Sequence, residues 1–215
     1  MSRADPPADP LATVRAGYDA IAEAYLDWGS RVVRDPRDRF VEDLAARLPD
    51  GATVLDLGCG AGVPSTLRLA ERFDVVGVDV SERQIELARR NLAGASFIHA
   101  DLSEVRFEEE TFAAVTALYS ISHLPRAEHG ALFERIASWL LPGGLFLASL
   151  GSTDSPDWTG DWLGVPMFFS SYDAATNCGL VEAAGLVTLQ AEVVTMAEPA
   201  GEVAFLWVLA HKPAR

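Results

Sequence analysis

The feature that most constrains the fold is a short apolar run followed by a glycine-rich turn and then a helical stretch. The run covers residues 53–57 (TVLDL), the turn covers residues 58–62 (GCGAG), and helical spacing continues to about Arg72. Glycines let a turn of this kind bend sharply and approach a ligand, because no Cβ stands in the way. The helix after the turn presents unpaired N–H groups to polar or anionic atoms. The pattern therefore predicts an α/β ligand-binding unit.

Strand-like and helical segments alternate along most of the chain, which is typical of a parallel sheet covered on both faces. Periodicity predicts helices over residues 11–26, 37–48, 63–72, 81–92, 126–140 and 173–184. Apolar runs predict strands over residues 53–57, 74–79, 96–100, 112–119, 145–150, 187–195 and 203–210. The short connection at residues 198–201 makes the last two strands an antiparallel hairpin. We expect an α/β fold with a doubly wound, mostly parallel seven-stranded sheet that closes with an antiparallel C-terminal hairpin strand.

Length and composition suit an ordinary globular protein. The 215 residues, of which 49% are hydrophobic and 22% charged, can bury a full core. Residues Met1–Pro10 are polar and rich in proline, so we expect a frayed tail without the apolar core of a signal peptide. No apolar run approaches ~18 residues, so no membrane span is expected. A cytoplasmic location is favoured.

Charge and cysteine content argue against several functional classes. The 17 basic and 31 acidic residues give a net charge of −14, which disfavours nucleic acid as a partner. Cys59 and Cys178 are far apart and belong to no CxxC motif, so neither a disulfide scaffold nor a structural zinc site is expected. The acidic run at residues 108–110 is expected to be an exposed loop, and no metal site is predicted.

A second element supports the ligand-binding interpretation of the glycine turn. Asp79 ends the next predicted strand, 21 residues after Gly58. A carboxylate at that place can accept hydrogen bonds from both hydroxyls of a ribose. The alternative is a tight turn with an aspartate that caps the helix beginning at Ser81. The dinucleotide fingerprint G-x-G-x-x-G would require a glycine at Val63, so a nicotinamide dehydrogenase is disfavoured and a nucleoside without a pyrophosphate is favoured.

Residues 54–62 (VLDLGCGAG) resemble motif I of the class I S-adenosylmethionine (SAM) dependent methyltransferases. Further segments are similar to that family in the same order, at residues 76–81, 99–102, 112–124 and 141–145. The resemblance covers residues 15–150 well and the last strands more loosely. It implies a Rossmann-like methyltransferase fold, SAM as the cofactor, and methyl transfer that yields S-adenosylhomocysteine.

The resemblance also implies cofactor contacts, residue by residue. Gly58 and Gly60 would lie against the methionyl part of SAM, Asp79 would hold the ribose diol, and Val80 would lie against the adenine. The remaining implied cofactor-binding residues are Tyr18, Tyr25, Asp56, Cys59, Asp101, Leu102, Tyr119 and Ser120. Among these, Asp101 would accept a hydrogen bond from the adenine amine. For Tyr18 and Tyr25, ordinary helix packing is the alternative explanation.

His123 is the candidate catalytic residue. It follows the fourth predicted strand, where the topology directs a loop towards the cofactor, and imidazole titrates near neutral pH. An alcohol or phenol acceptor usually benefits from such a base, whereas an amine needs it less. The alternative is a structural histidine. We expect His99 to support the adenine side and His129 and His211 to be solvated.

The expected function is methyl transfer to a small-molecule N or O nucleophile. Residues 119–122 (YSIS) depart from the Asp/Asn-Pro-Pro-Tyr segment of nucleobase and protein-amide methyltransferases. We expect one domain over residues 1–215, with an N-terminal helical cap (1–50) and a substrate-side insertion (151–172) whose aromatic residues can enclose an apolar or cationic acceptor. The alternative is that these aromatic residues only pack the edge of the sheet. A monomer or homodimer without a nucleic-acid or membrane partner is expected. The alternatives are a SAM-binding cyclase or lyase, a tRNA or protein methyltransferase, and a non-catalytic SAM-binding protein.

Overall fold

The computed structural model describes residues 9–214, and its elements follow the predicted order. The helices are α1 (Pro10–Ser30), α2 (Arg37–Ala45), α3 (Ser65–Ala70), α4 (Glu82–Asn91), α5 (His129–Trp139) and α6 (Ala174–Ala183). The strands are β1 (Thr53–Leu57), β2 (Asp74–Asp79), β3 (Ser96–His99), β4 (Phe112–Ala117), β5 (Leu140–Gly151), β6 (Ser155–Trp162), β7 (Val165–Ser171), β8 (Val187–Glu198) and β9 (Gly201–His211). Of the predicted tail, residues 1–8 lie outside the described residues, and Pro10 already begins α1.

The main sheet confirms the predicted fold class. Its seven strands lie in the order β3-β2-β1-β4-β5-β9-β8. The first five pair in parallel, β9 pairs antiparallel with β5, and β8 pairs antiparallel with β9. The strand order reverses between β1 and β4, and in open α/β sheets ligands bind outside the carboxyl ends of the strands at such a point.

The sheet is held between two apolar layers. Successive side chains of a strand point to opposite faces, so Leu55 and Leu57 pack with residues of α5 and α6, while Val54 packs with residues of α2 and α3. All three side chains are fully buried. Because both faces of the sheet are buried at β1, this strand is a nearly continuous apolar run in the sequence.

Two regions differ from the prediction. Strand β5 begins at Leu140 rather than Leu145, because Leu140 already pairs with Phe112, and the ladder resumes at Leu145 after an irregularity. Residues 155–171 form a separate two-stranded antiparallel sheet, which the sequence did not predict. Its turn contains Leu163 and Gly164, both with positive φ, as a tight hairpin requires.

Helix α1 lies against the hairpin formed by β6 and β7 and against the start of α4. Val14 and Ile21 form an apolar cluster with Met167 and Phe168 of β7. The Asp19 carboxylate accepts hydrogen bonds from the Ser81 hydroxyl at 2.6 Å and from a backbone N–H of α4. These contacts place α1 across the carboxyl ends of β1 and β2. No helix within residues 9–214 is both long and apolar enough to cross a lipid bilayer.

Candidate active site

Two cavities open at the carboxyl ends of β1, β2 and β4. The larger has a volume of about 590 Å³ and the smaller about 80 Å³. They share lining residues at their junction, among them Gly58, Gly60 and His123. Every residue proposed from the sequence as a cofactor or catalytic residue lines at least one of them: Tyr18, Tyr25, Asp56, Gly58, Cys59, Gly60, Asp79, Val80, Asp101, Leu102, Tyr119, Ser120 and His123.

The glycine turn brings two loops into close approach. Gly58 has φ of +78°, and a Cβ built on it would lie 2.2 Å from the Ser120 Cβ. The Ser120 hydroxyl donates a hydrogen bond to the Leu57 carbonyl at 2.8 Å. Ser120 thus ties the loop after β4 to the end of β1, and only glycine fits at position 58.

Asp79 lies at the smaller cavity with its carboxylate held by the backbone. One oxygen accepts from the Gly60 N–H at 2.8 Å and the other from the Ser81 N–H at 2.9 Å. Burial raises the pKa of Asp79 to about 6, although both hydrogen bonds act in the opposite direction. The capping residue of α4 is Ser81, whose hydroxyl accepts from the Gln84 N–H. Ser81 rather than Asp79 is thus the N-cap of α4, and Asp79 lines the smaller cavity.

Gln84 is a site residue that the sequence did not reveal. Its side-chain oxygen and nitrogen are both buried, and neither has a hydrogen-bond partner within residues 9–214. It lines the smaller cavity together with Asp79 and Val80. An unpaired buried amide is costly, and a bound polar molecule would relieve that cost.

Two further carboxylates that line the cavities accept hydrogen bonds from neighbouring groups of the protein. Asp56 is buried and accepts hydrogen bonds from the Thr66 and Thr116 hydroxyls, each at 2.7 Å. Burial raises the pKa of Asp56, and these two bonds oppose the rise. Asp101 accepts from the backbone N–H and the hydroxyl of Ser103 after β3, at 2.8 and 2.6 Å.

His123 is positioned as a hydrogen-bond acceptor. Its Nδ1 lies 2.9 Å from the Phe168 carbonyl, which can only accept, so Nδ1 carries the proton. Its Nε2 lies 2.8 Å from the Tyr18 hydroxyl and is left as the acceptor. Burial lowers the pKa of His123 to about 4, and burial also raises that of Tyr18. At neutral pH the imidazole is therefore uncharged, with Nε2 directed to the junction of the cavities.

The other histidines do not reach the junction. His99 makes a 2.9 Å hydrogen bond to the Val80 carbonyl, on the smaller-cavity side. The expectation that His129 is solvated is wrong: its exposure is 2%. The reason is that α5 begins beneath the loop carrying Leu124, whose carbonyl lies 3.1 Å from His129 Nε2.

Tyr119 anchors an unpredicted ion pair on the wall of the larger cavity. Its backbone φ is +58°, a conformation rare for a bulky residue, and its N–H donates to Ser149 at 2.7 Å. Its hydroxyl donates to Asp35 at 2.8 Å, and Asp35 pairs with Arg37 at 2.9 Å. The Arg37 guanidinium lies over the Tyr119 ring, 4.9 Å from its centroid. Only the tertiary structure brings Asp35, which precedes α2, and Arg37, which begins it, into the cavity that the glycine turn also lines.

An aromatic wall closes the far side of the larger cavity. We define it by five residues: Tyr25, Trp28, Trp162, Phe169 and Phe205. The Trp162 ring lies 5.5 Å from that of Trp28 and 5.7 Å from that of Tyr25. The segment 151–172 contributes Trp162 and Phe169 to this wall. Trp158, from the same segment, is half exposed and does not line the cavity.

Comparison with known proteins agrees with this site. A family model described as a methyltransferase domain matches residues 54–144. The chain is 33% identical over 150 residues to the 27-O-demethylrifamycin SV methyltransferase of Amycolatopsis mediterranei, covering 60% of this chain and 54% of that protein. It is 37% identical over 128 residues to the trans-aconitate 2-methyltransferase of Variovorax paradoxus, covering 56% and 48%. The chain thus spans about half the length of these curated relatives.

A solved structure shares the fold over nearly the whole chain. The 1,6-didemethyltoxoflavin-N1-methyltransferase of Burkholderia thailandensis, determined with its substrate and S-adenosylhomocysteine, superposes with a TM-score of 0.73 at 22% identity. The superposition covers 99% of this chain and 93% of that one. Taken with the glycine turn and Asp79, these similarities support a class I SAM-dependent methyltransferase: residues 54–144 match a methyltransferase domain, and the fold is shared with a solved methyltransferase over nearly the whole chain.

Proposed function

We propose that this protein transfers the methyl group of SAM to a nitrogen or oxygen of a small molecule. The observation that carries the proposal is the junction of the two cavities, which Gly58 and Gly60 of the glycine turn line together with the uncharged imidazole of His123. SAM supplies an electrophilic methyl group on a sulfonium. The acceptor bonds to that methyl carbon, and S-adenosylhomocysteine leaves. The protein's task is to align the two reactants and exclude water.

The smaller cavity and the glycine turn fit the cofactor. Asp79 and Gln84 offer a carboxylate and an unpaired amide to its ribose and neighbouring atoms. The 80 Å³ of the smaller cavity is below the ~300–1,000 Å³ usual for ligand sites, so we expect the side chains of α1 over it to move outward on binding.

The larger cavity fits the acceptor. His123 Nε2 can accept a hydrogen bond from an acceptor O–H or N–H in place of the Tyr18 hydroxyl, and can take the proton of an alcohol or phenol as its oxygen is methylated. Helix α1 and the β6–β7 hairpin contribute walls to the cavity, which favours a small molecule over a macromolecule. The N-terminal helices and the hairpin segment thus take the roles of cap and substrate-side insertion in this proposal.

The proposal is tested by product analysis. The protein is incubated with SAM labelled in its methyl group and with a panel of small amines, phenols and carboxylates. We expect labelled acceptor and S-adenosylhomocysteine in equal amounts. Formation of methylthioadenosine in place of S-adenosylhomocysteine would contradict methyl transfer and support lyase or cyclase chemistry in the same cavity.

Acidic pH should weaken cofactor binding through Asp79. The carboxylate can accept from both ribose hydroxyls at full strength only when it is ionised, and its pKa is about 6, so affinity should hold above pH 7 and fall as the pH drops through 6. Between pH 7.5 and pH 5.0 we expect the Kd of S-adenosylhomocysteine, measured by calorimetry, to rise about five- to tenfold. The Asp79→Asn variant, which has no titrating group there, should show a flat dependence. A flat dependence in the unaltered protein contradicts the assignment.

A further inference from the structure

Glu198 places an unpaired carboxylate on the wall of the larger cavity. It ends β8, where the chain turns towards β9, and it is partly buried. Within residues 9–214 its side chain makes no hydrogen bond or ion pair. Burial raises the pKa of Glu198, and the nearby Asp35 carboxylate acts in the same direction. A carboxylate removed from water in this way favours a ligand that supplies positive charge or N–H donors.

Among the described residues that line the cavity, no basic side chain pairs with Glu198. Arg37 is the one Lys or Arg among the described lining residues, and it already pairs with Asp35 and lies over Tyr119. The lining also includes Asp56, which only hydroxyl groups contact. The charge on the wall is therefore net negative, and the potential favours a cationic molecule over an anionic one.

The aromatic wall indicates the chemistry of the acceptor's body, apart from the group that binds Glu198. Its five residues line the same cavity as Glu198 and Met196, so much of the lining that a ligand bound at Glu198 can contact is apolar and polarisable. Aromatic faces bind the apolar body of a ligand and also attract an ammonium group through their π-electrons. A carboxylate beside such a wall matches a molecule with an amino group on an apolar or aromatic body.

We propose that the acceptor of this enzyme is an amine with an apolar or aromatic body, and that Glu198 selects it by binding its ammonium or N–H group. An amine bound as its ammonium gives one proton to His123 Nε2, and the lone pair freed on nitrogen then takes the methyl group and displaces S-adenosylhomocysteine. This inference rests on the proposed function and adds the substrate class. Glu198 is a specificity residue: it binds the acceptor, whereas the glycine turn and Asp79 bind the cofactor. Acceptors that carry a carboxylate on the same body should be excluded by repulsion from Glu198.

The test uses two probes that share a phenyl ring and differ in charge, 2-phenylethylamine and 3-phenylpropionate. Calorimetry measures their binding to the protein saturated with S-adenosylhomocysteine. We expect the amine to bind at least about tenfold tighter than the carboxylate. The amine gains one charge-assisted hydrogen bond to Glu198, whereas the carboxylate of 3-phenylpropionate is repelled by it. In Glu198→Gln this preference should disappear, while the Kd of S-adenosylhomocysteine and the thermal midpoint should not change.

The matched control is Glu202→Gln, on the same hairpin. Glu202 is exposed, pairs with Arg34 and does not line the cavity, so its loss should leave the amine preference intact. Equal binding of both probes to the unaltered protein, no binding of the amine, or a preference that survives Glu198→Gln overturns the inference. A loss of S-adenosylhomocysteine affinity in Glu198→Gln would also overturn it, by placing Glu198 at the cofactor. Failure of the unaltered protein to bind S-adenosylhomocysteine at all would instead refute the proposed function.

Discussion

Replacing Asp79 with alanine is expected to weaken S-adenosylhomocysteine binding by about 100-fold. The proposed site gives this carboxylate two ribose hydroxyls to accept, and hydrogen bonds to charged groups contribute about 1.5–3 kcal/mol each, where about 1.4 kcal/mol is tenfold in affinity. Calorimetry of the purified variant gives the Kd directly. An unchanged Kd contradicts the placement of the ribose at Asp79.

The structure adds a control to this experiment. Asp79 also accepts from the Gly60 and Ser81 N–H groups, so its removal frees two backbone donors and loosens the turn. The thermal midpoint of the variant therefore has to be measured alongside its affinity. Asp74→Ala is the matched variant: this aspartate starts the same strand, is exposed and lies outside both cavities. The Asp74→Ala variant should bind S-adenosylhomocysteine with the same Kd as the unaltered protein.

Replacing His123 with alanine is expected to lower turnover by about 10²- to 10⁴-fold for an acceptor that has to lose an O–H or N–H proton, which is the usual contribution of a positioned acid or base. The neutral Nε2 is the atom that would accept the acceptor's proton. The Kd of S-adenosylhomocysteine should change far less, because the glycine turn and Asp79 remain. Rates are measured at saturating concentrations of SAM and of an acceptor identified from the panel.

The pH profile gives a second readout for His123. Because its pKa is about 4, the rate should not fall through the range near 6.5 where an exposed histidine titrates. His211→Ala is the matched variant, since that residue ends β9 outside both cavities. If His123→Ala turns over as fast as His211→Ala, then His123 is a structural residue that holds Tyr18 and the Phe168 carbonyl.

Several elements could be predicted to the residue because local physics alone specifies them. Strands β1 and β2 match their predicted bounds, since an apolar run bordered by turn residues is buried on both faces wherever it pairs. The cap at Ser81 and the hairpin of β8 and β9 follow from side-chain chemistry and connection length in the same way. The order of these elements was enough to predict the fold class.

The acceptor side could not be predicted in this way. The β6–β7 hairpin lacks a strong apolar alternation, and its strands are stabilised by packing against α1 rather than by their own pattern. Glu198 and Arg37 are ordinary charged residues in the sequence. Their function depends on which side chains lie near them in space, and the spacing of residues along the sequence does not indicate those neighbours.

The sequence by itself determined the sheet, the glycine turn and the carboxylate at the end of β2, because each depends on residues close together in the chain. Only the tertiary structure decided the protonation state of His123 and the make-up of the acceptor cavity. Both arise from burial and from contacts between segments more than forty residues apart, such as the 2.9 Å approach of His123 to the Phe168 carbonyl. Desolvation and long-range contact are properties of the folded chain and have no local signal.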